Sequence, residues 1–115
     1  MTIEFNRKLI IWGLGVIQPA TQEETISFLK LVYPSVPTWP DHSALQLIFD
    51  EWEELNYVIQ IHKKNKVYSL ALDSNKYLGS DLRQQRDKAR LTLLRAAYDA
   101  TLSKSEVVAQ NLDGE

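Results

Sequence analysis

The sequence predicts a mainly α-helical domain carrying one small β-hairpin, an α+β fold. Three observations predict it. Thr21 to Leu55 holds two amphipathic helical patterns joined by a proline-rich connector. Tyr57 to Leu72 holds two short runs of β-branched and aromatic residues around a polar tip. A further helical pattern begins at Ser80 or Asp81 and runs to about Leu102. With 115 residues the chain is the size of one domain. That domain is expected over residues 1–102, with a flexible acidic tail at 103–115.

The elements follow from local chemistry. Ile3 to Gly13 carries Phe5, Leu9 and Trp12 at helical spacing, with Ile10 and Ile11 widening the apolar face. Gly13 or Gly15 is expected to end this helix, because glycine closes helix C-termini readily. Val16-Ile17-Gln18, short, apolar and followed by Pro19, suits an extended segment pairing at the edge of the later hairpin. Thr21-Gln-Glu-Glu24 has the form of a capping box and starts a helix whose Ile26, Leu29 and Tyr33 lie with Phe28 and Val32. Pro34 stops it, and Pro34 to Pro40 reads as a stiff connector.

Asp41 or Ser43 caps the third helix. Its Leu45, Ile48, Phe49, Trp52 and Leu55 recur at steps of three and four, the clearest amphipathic pattern in the chain. Asn56 suits the left-handed conformation that closes such a helix. Tyr57-Val-Ile-Gln-Ile61 and Val67-Tyr-Ser-Leu-Ala-Leu72 then form a hairpin with His62-Lys-Lys-Asn-Lys66 at its tip. In the last helix Leu82, Ala89, Leu93, Ala97 and Ala100 share one side. Its first half is polar and is expected to protrude or lie on a surface, while the Leu91 to Leu102 half packs on the body or on a second copy.

Composition excludes several classes. There is no cysteine, so neither disulfides nor a thiolate zinc site can form; this fits a reducing compartment, and the expected location is cytoplasmic. The longest apolar run, Leu9 to Ile17, is far short of the roughly 20 residues that span a bilayer. Arg7 and Lys8 before it imitate a secretory signal, but Glu4 and Gln18 fit that poorly, so the run reads as a buried helix. The net charge of −2 is unevenly divided: residues 1–56 carry −5, residues 57–95 carry +6 and residues 96–115 carry −3. A polyanion would meet the middle segment.

Helix, edge segment, two helices with a turn between, then hairpin: this order resembles the winged helix-turn-helix superfamily, here with an extra C-terminal helix. The local likeness lies in Pro19-Ala-Thr-Gln-Glu-Glu24, in Leu55-Asn-Tyr-Val58, where Asn56 stands in for a common glycine, and in Tyr68-Ser-Leu70. It covers roughly residues 3–72. The resemblance implies duplex DNA binding by a regulatory or accessory protein, with the third helix in the major groove. The outward residues of that helix are mainly Gln46, Asp50, Glu51, Glu53 and Glu54, and four carboxylates repel phosphate. Only a shallow approach by its first turn, His42 and Ser43 with Gln46, escapes that repulsion.

The candidate nucleic-acid contacts are therefore the hairpin tip, His62, Lys63, Lys64 and Lys66, with Lys76 and the stripe Arg83, Arg86 and Arg90 of the last helix, near Lys88. Each has a plain alternative: a solvated turn for the lysines, and a helix face with internal pairs, such as Asp87 with Arg83 or Arg90, for the arginines. Trp39, between prolines, either covers the core or stands exposed as an interface anchor. With Asp50, Glu51 and Glu54 it marks the alternative, a protein-interaction module serving as accessory subunit of a larger complex. His42 and His62 are the only histidines and lack companions for a metal site. Gly13 and Gly15 form no phosphate loop. No nucleophile, cofactor site or small-molecule site is evident, and the expectation is a non-enzymatic protein that binds duplex DNA or a protein partner, as a dimer through the last helix.

Overall fold

A computed structural model describes the backbone of residues 3–113 and the side chains of residues 6–102. The chain is mostly helical, with a two-stranded antiparallel hairpin after three helices. The elements are α1 (Ile3–Ile17), α2 (Gln22–Val32), α3 (His42–Glu54), β1 (Val58–His62), β2 (Val67–Leu70), α4 (Ser74–Leu78) and α5 (Ser80–Asp113). The capping box forms as the sequence predicts: Glu24 N–H donates to Thr21 Oγ1 at 3.2 Å and Thr21 N–H to Glu24 Oε1 at 3.0 Å. Asp41, not Ser43, caps α3, accepting from Ala44 N–H at 2.9 Å. Asn56 takes φ 61° and turns the chain into β1.

Helix α1 is the centre of the domain. Leu9 to Val16 are all buried, and the helix packs against α2, β2, α4 and α5. It does not end at Gly13 or Gly15, as the glycines suggest, but continues through Val16 and Ile17. Both glycines serve close approach instead. A Cβ on Gly13 would lie 2.8 Å from Leu29 Cδ2 and 2.9 Å from its Cγ, and one on Gly15 would collide with Leu70 and Arg86. The lost side chain lets α2, β2 and α5 reach the helix axis closely, which repays the poor helix propensity of glycine of about 1 kcal/mol each.

The expected extended segment at Val16 to Gln18 is likewise absent, since those first two residues complete α1. The hairpin edge is paired by two other devices. Ala20 exchanges two backbone hydrogen bonds with Tyr68, at 3.0 and 2.8 Å. Gln18 supplies a side chain in place of a strand: its Oε1 accepts from Leu70 N–H at 2.8 Å and from Ser69 Oγ at 2.6 Å. Replacing Gln18 with leucine leaves that amide and hydroxyl without an acceptor. The expected cost is about 1–2 kcal/mol, read as a lower urea midpoint together with faster exchange of the Leu70 amide. An unchanged exchange rate would refute the strand-substitute role.

Aromatic rings bind α3 to the hairpin. The centroids of Phe49 and Tyr68 are 4.7 Å apart, edge to face, and Trp52 lies 5.3 Å from Phe49 and 6.4 Å from Tyr77. Trp12 meets Phe28 and Tyr33 on the α2 side. Trp12 and Trp52 are thus core residues. The short helix α4 had no counterpart in the sequence pattern; it buries Leu78 and Ser74, whose hydroxyl donates to Ala71 O. Gly79, at φ 83°, separates it from α5.

The last helix departs most from expectation. Its polar first half is the packed half: Leu82, Arg86, Ala89 and Arg90 are partly buried against the body. Its apolar second half is the exposed one, every residue from Leu91 to Leu102. The molecule measures 58 × 31 × 28 Å. The backbone stays helical to Asp113, past Leu102, where the pattern loses its period. The expected flexible acidic tail at 103–115 falls on side chains outside those described.

Candidate interaction surfaces

The hairpin tip is a tight turn over residues 63–66. His62 Nδ1 accepts from Asn65 N–H at 3.2 Å, and Lys66 adopts φ 52°. This turn sends Lys66 back over α3, where its Nζ donates to Gln46 Oε1 at 3.2 Å. Gln46 in turn accepts from the buried Gln22 at 3.1 Å and donates to Asp50 at 2.8 Å. The tip lysines are therefore split. Lys66 is tied to a polar chain beginning in the core, while Lys63 and Lys64 are exposed and have no partner among the described residues.

The arginine stripe is split too, and here the sequence expectation is corrected. The Arg86 side chain is 11% exposed; its guanidinium donates to Asn75 Oδ1 at 2.9 Å and grips Asp87 with two bonds. Arg90 donates from one nitrogen to Val16 O at 3.1 Å and to Gln18 O at 2.9 Å. Those carbonyls close the C-terminal end of α1, where the helix dipole favours a cation. Both arginines hold the fold and turn toward the body. Arg83, Lys76 and Lys88 remain exposed. The pairing of Asp87 with Arg83 or Arg90, weighed from the sequence, is instead with Arg86. The sequence did hold a signal for this: at about 100° per residue, Arg86 lies within about 60° of Leu82, Ala89 and Leu93 on the helix surface.

The carboxylates of α3 are all exposed. Glu51 pairs with Arg7 of α1 at 3.2 Å and Asp50 accepts from Gln46, leaving Glu53 and Glu54 without a partner among the described residues. Leu47, 71% exposed, stands in the same stripe as Asp50 and Glu54. On the hairpin, Ile59 and Ile61 of β1 are exposed. Trp39 is half-buried and packs against the core, so it covers the core and is not an exposed anchor. His42 Nδ1 lies 3.6 Å from Glu23 Oε1. Among the described residues no three His, Asp or Glu side chains gather at one point, and no helix is long and apolar enough to cross a membrane.

Two apolar surfaces are uncovered; the first was not expected from the sequence, and the second lies on the half of α5 expected to pack on the body or on a second copy. One is a groove lined by Trp12, Val16, Phe28, Val32, Ala89 and Leu93, between α1, α2 and α5. The other is the outward face of α5, formed by Leu91, Leu94, Tyr98 and Leu102. No family model, curated protein or solved structure matches the chain.

Proposed function

We propose that this is a non-enzymatic winged helix-turn-helix module whose role is assembly with protein partners, as an accessory subunit. The order of three helices and a hairpin, with Ala20 bridged to Tyr68 as a one-residue edge strand, supports the winged-helix reading. The observation that carries the assembly role is the chemistry of α3 and β1. Leu47 stands exposed in one stripe with Asp50 and Glu54, Glu53 and Glu54 have no partner among the described residues, and β1 exposes Ile59 and Ile61. An exposed leucine among unpaired acids on α3 suits a protein surface bearing basic residues, and those acids oppose insertion into a phosphate-lined groove.

A second reading keeps duplex DNA as the partner. It is favoured by Lys63 and Lys64, free at the hairpin tip, with Arg83 and Lys76 exposed. Those contacts would be phosphate contacts, weak and steeply salt-dependent.

One pair of measurements separates the two. The tagged chain is purified from its native source, and the purified chain is titrated against a labelled duplex at two salt concentrations. The assembly role predicts a defined complex that survives physiological salt and is lost when Asp50 and Glu54 become lysine, with duplex affinity unchanged or raised. Duplex binding that vanishes on alanine substitution of Lys63, Lys64 and Lys66, with no protein co-purifying, overturns the assembly role in favour of the second reading.

A further inference from the structure

We infer that the outward face of α5 is an interface with a second copy of this chain, formed by two antiparallel α5 helices. Beyond Arg90 the helix is no longer closely packed: Leu93 and Ala96 still border the groove over Trp12 and Phe28, but every side chain from 91 to 102 is exposed. An isolated helical stretch without a packed face is marginal in water. Leu91, Leu94, Tyr98 and Leu102 recur at steps of three, four and four, so they fall within an arc of about 80° at roughly 100° per residue. This arc points nearly opposite the side that carries Leu82, Ala89 and Leu93, and packing on the body cannot cover it.

Two arguments select a second copy as the occupant. The first is area. Leu91 and Leu94 are 51% exposed, Tyr98 64% and Leu102 44%. Together they offer on the order of 400 Å² of apolar surface, as much as a monomer of this size ordinarily leaves open. Doubled by a second copy and fully buried, with apolar groups making up about 60% of an interface, this corresponds to about 1,300 Å², the lower end of the roughly 1,200–2,000 Å² of a stable pair.

The second argument is charge. Between 91 and 102 the only charged residues are Arg95 and Asp99, one of each sign, both on the same flank of the arc. In an antiparallel two-fold pair, like flanks meet. With the axis passing between residues 96 and 97, Leu91 is level with Leu102 of the second copy, and Leu94 with Tyr98 and Arg95 with Asp99 to within one residue's rise of about 1.5 Å. A parallel pair would set that flank against Thr101 and Ala97 and leave both charges unmatched. Antiparallel pairing also carries the two bodies to opposite ends of the pair.

Sedimentation equilibrium of the full chain tests the pair, and the absence of native cysteine allows its orientation to be tested. The expected result is a species of twice the 13.2 kDa chain mass. Leu94→Glu with Tyr98→Glu should weaken it about 100-fold or more while leaving the urea midpoint unchanged at concentrations low enough for both chains to be monomeric, because both side chains are exposed in the single chain. Arg95→Asp alone should weaken it about tenfold, and Arg95→Asp with Asp99→Arg should restore it. Under mild oxidation an equimolar mixture of L91C and L102C should form disulfide dimers. L91C alone should not, since its two thiols lie roughly 16 Å apart along the pair. A chain that stays monomeric up to its solubility limit overturns the interface, and efficient self-crosslinking of L91C overturns its antiparallel geometry.

Discussion

Trp52→Ala should lower the unfolding free energy by about 3–5 kcal/mol. Trp52 is 1% exposed, and its indole joins Phe49 on its own helix to Tyr77 of α4, so truncation opens a cavity where α3, the hairpin and α4 meet. Phe49 in turn holds Tyr68 at the centre of β2, leaving few neighbours free to collapse into the space. A domain of this size has about 5–15 kcal/mol in total. At an m-value of about 2 kcal/mol per molar, the urea midpoint should fall by about 2 M. Trp39→Ala, which removes a half-buried ring at the edge of the same core, should cost less than half as much. Equal losses from the two tryptophans would contradict this placement of the core.

Arg90→Ala should cost about 2–3 kcal/mol, an unusually large loss for an arginine on a polar helix face. Its guanidinium closes Val16 O and Gln18 O at the end of α1, and among the described residues no other hydrogen bond to those two carbonyls is made. Arg90→Lys should recover part of the loss, because one nitrogen makes both bonds and an ammonium can also donate to two acceptors, though without the rigid planar group that holds the guanidinium in place. Arg83→Ala, exposed and without a partner among the described residues, should stay within about 0.5 kcal/mol. Urea titrations of the three variants check the order. The contrast bears on function: a loss of polyanion binding in an Arg90 variant would report a damaged fold, whereas the same loss in an Arg83 variant would report a contact.

Local signals in the sequence were sufficient for several elements. The Thr21 and Glu24 capping box, the Asn56 turn and the amphipathic α3 each rest on chemistry within one or two helical turns, and each formed where expected. The hairpin formed too, though β2 stops at Leu70 and leaves Leu72 exposed. The acidic stripe of α3 was legible for the same reason, since helical period alone decides which residues face outward.

What the sequence by itself determined, then, was the order of helices and hairpin and the acidity of α3. The tertiary structure alone decided the fate of the glycines, of Gln18 and of the arginines. Gly13 and Gly15 carry the same local signal whether they end a helix or admit a neighbour; only Leu29, Leu70 and Arg86, distant in sequence, reveal the second use. Gln18 looks like an edge residue until the register of β2 brings Ser69 and Leu70 to its amide oxygen. The reversal within α5 has the same origin. Apolar content predicted that Leu91 to Leu102 would pack on the body or on a second copy; the body takes the polar half instead, because α1 offers its open carbonyls and its glycine gap opposite Arg86 and Arg90.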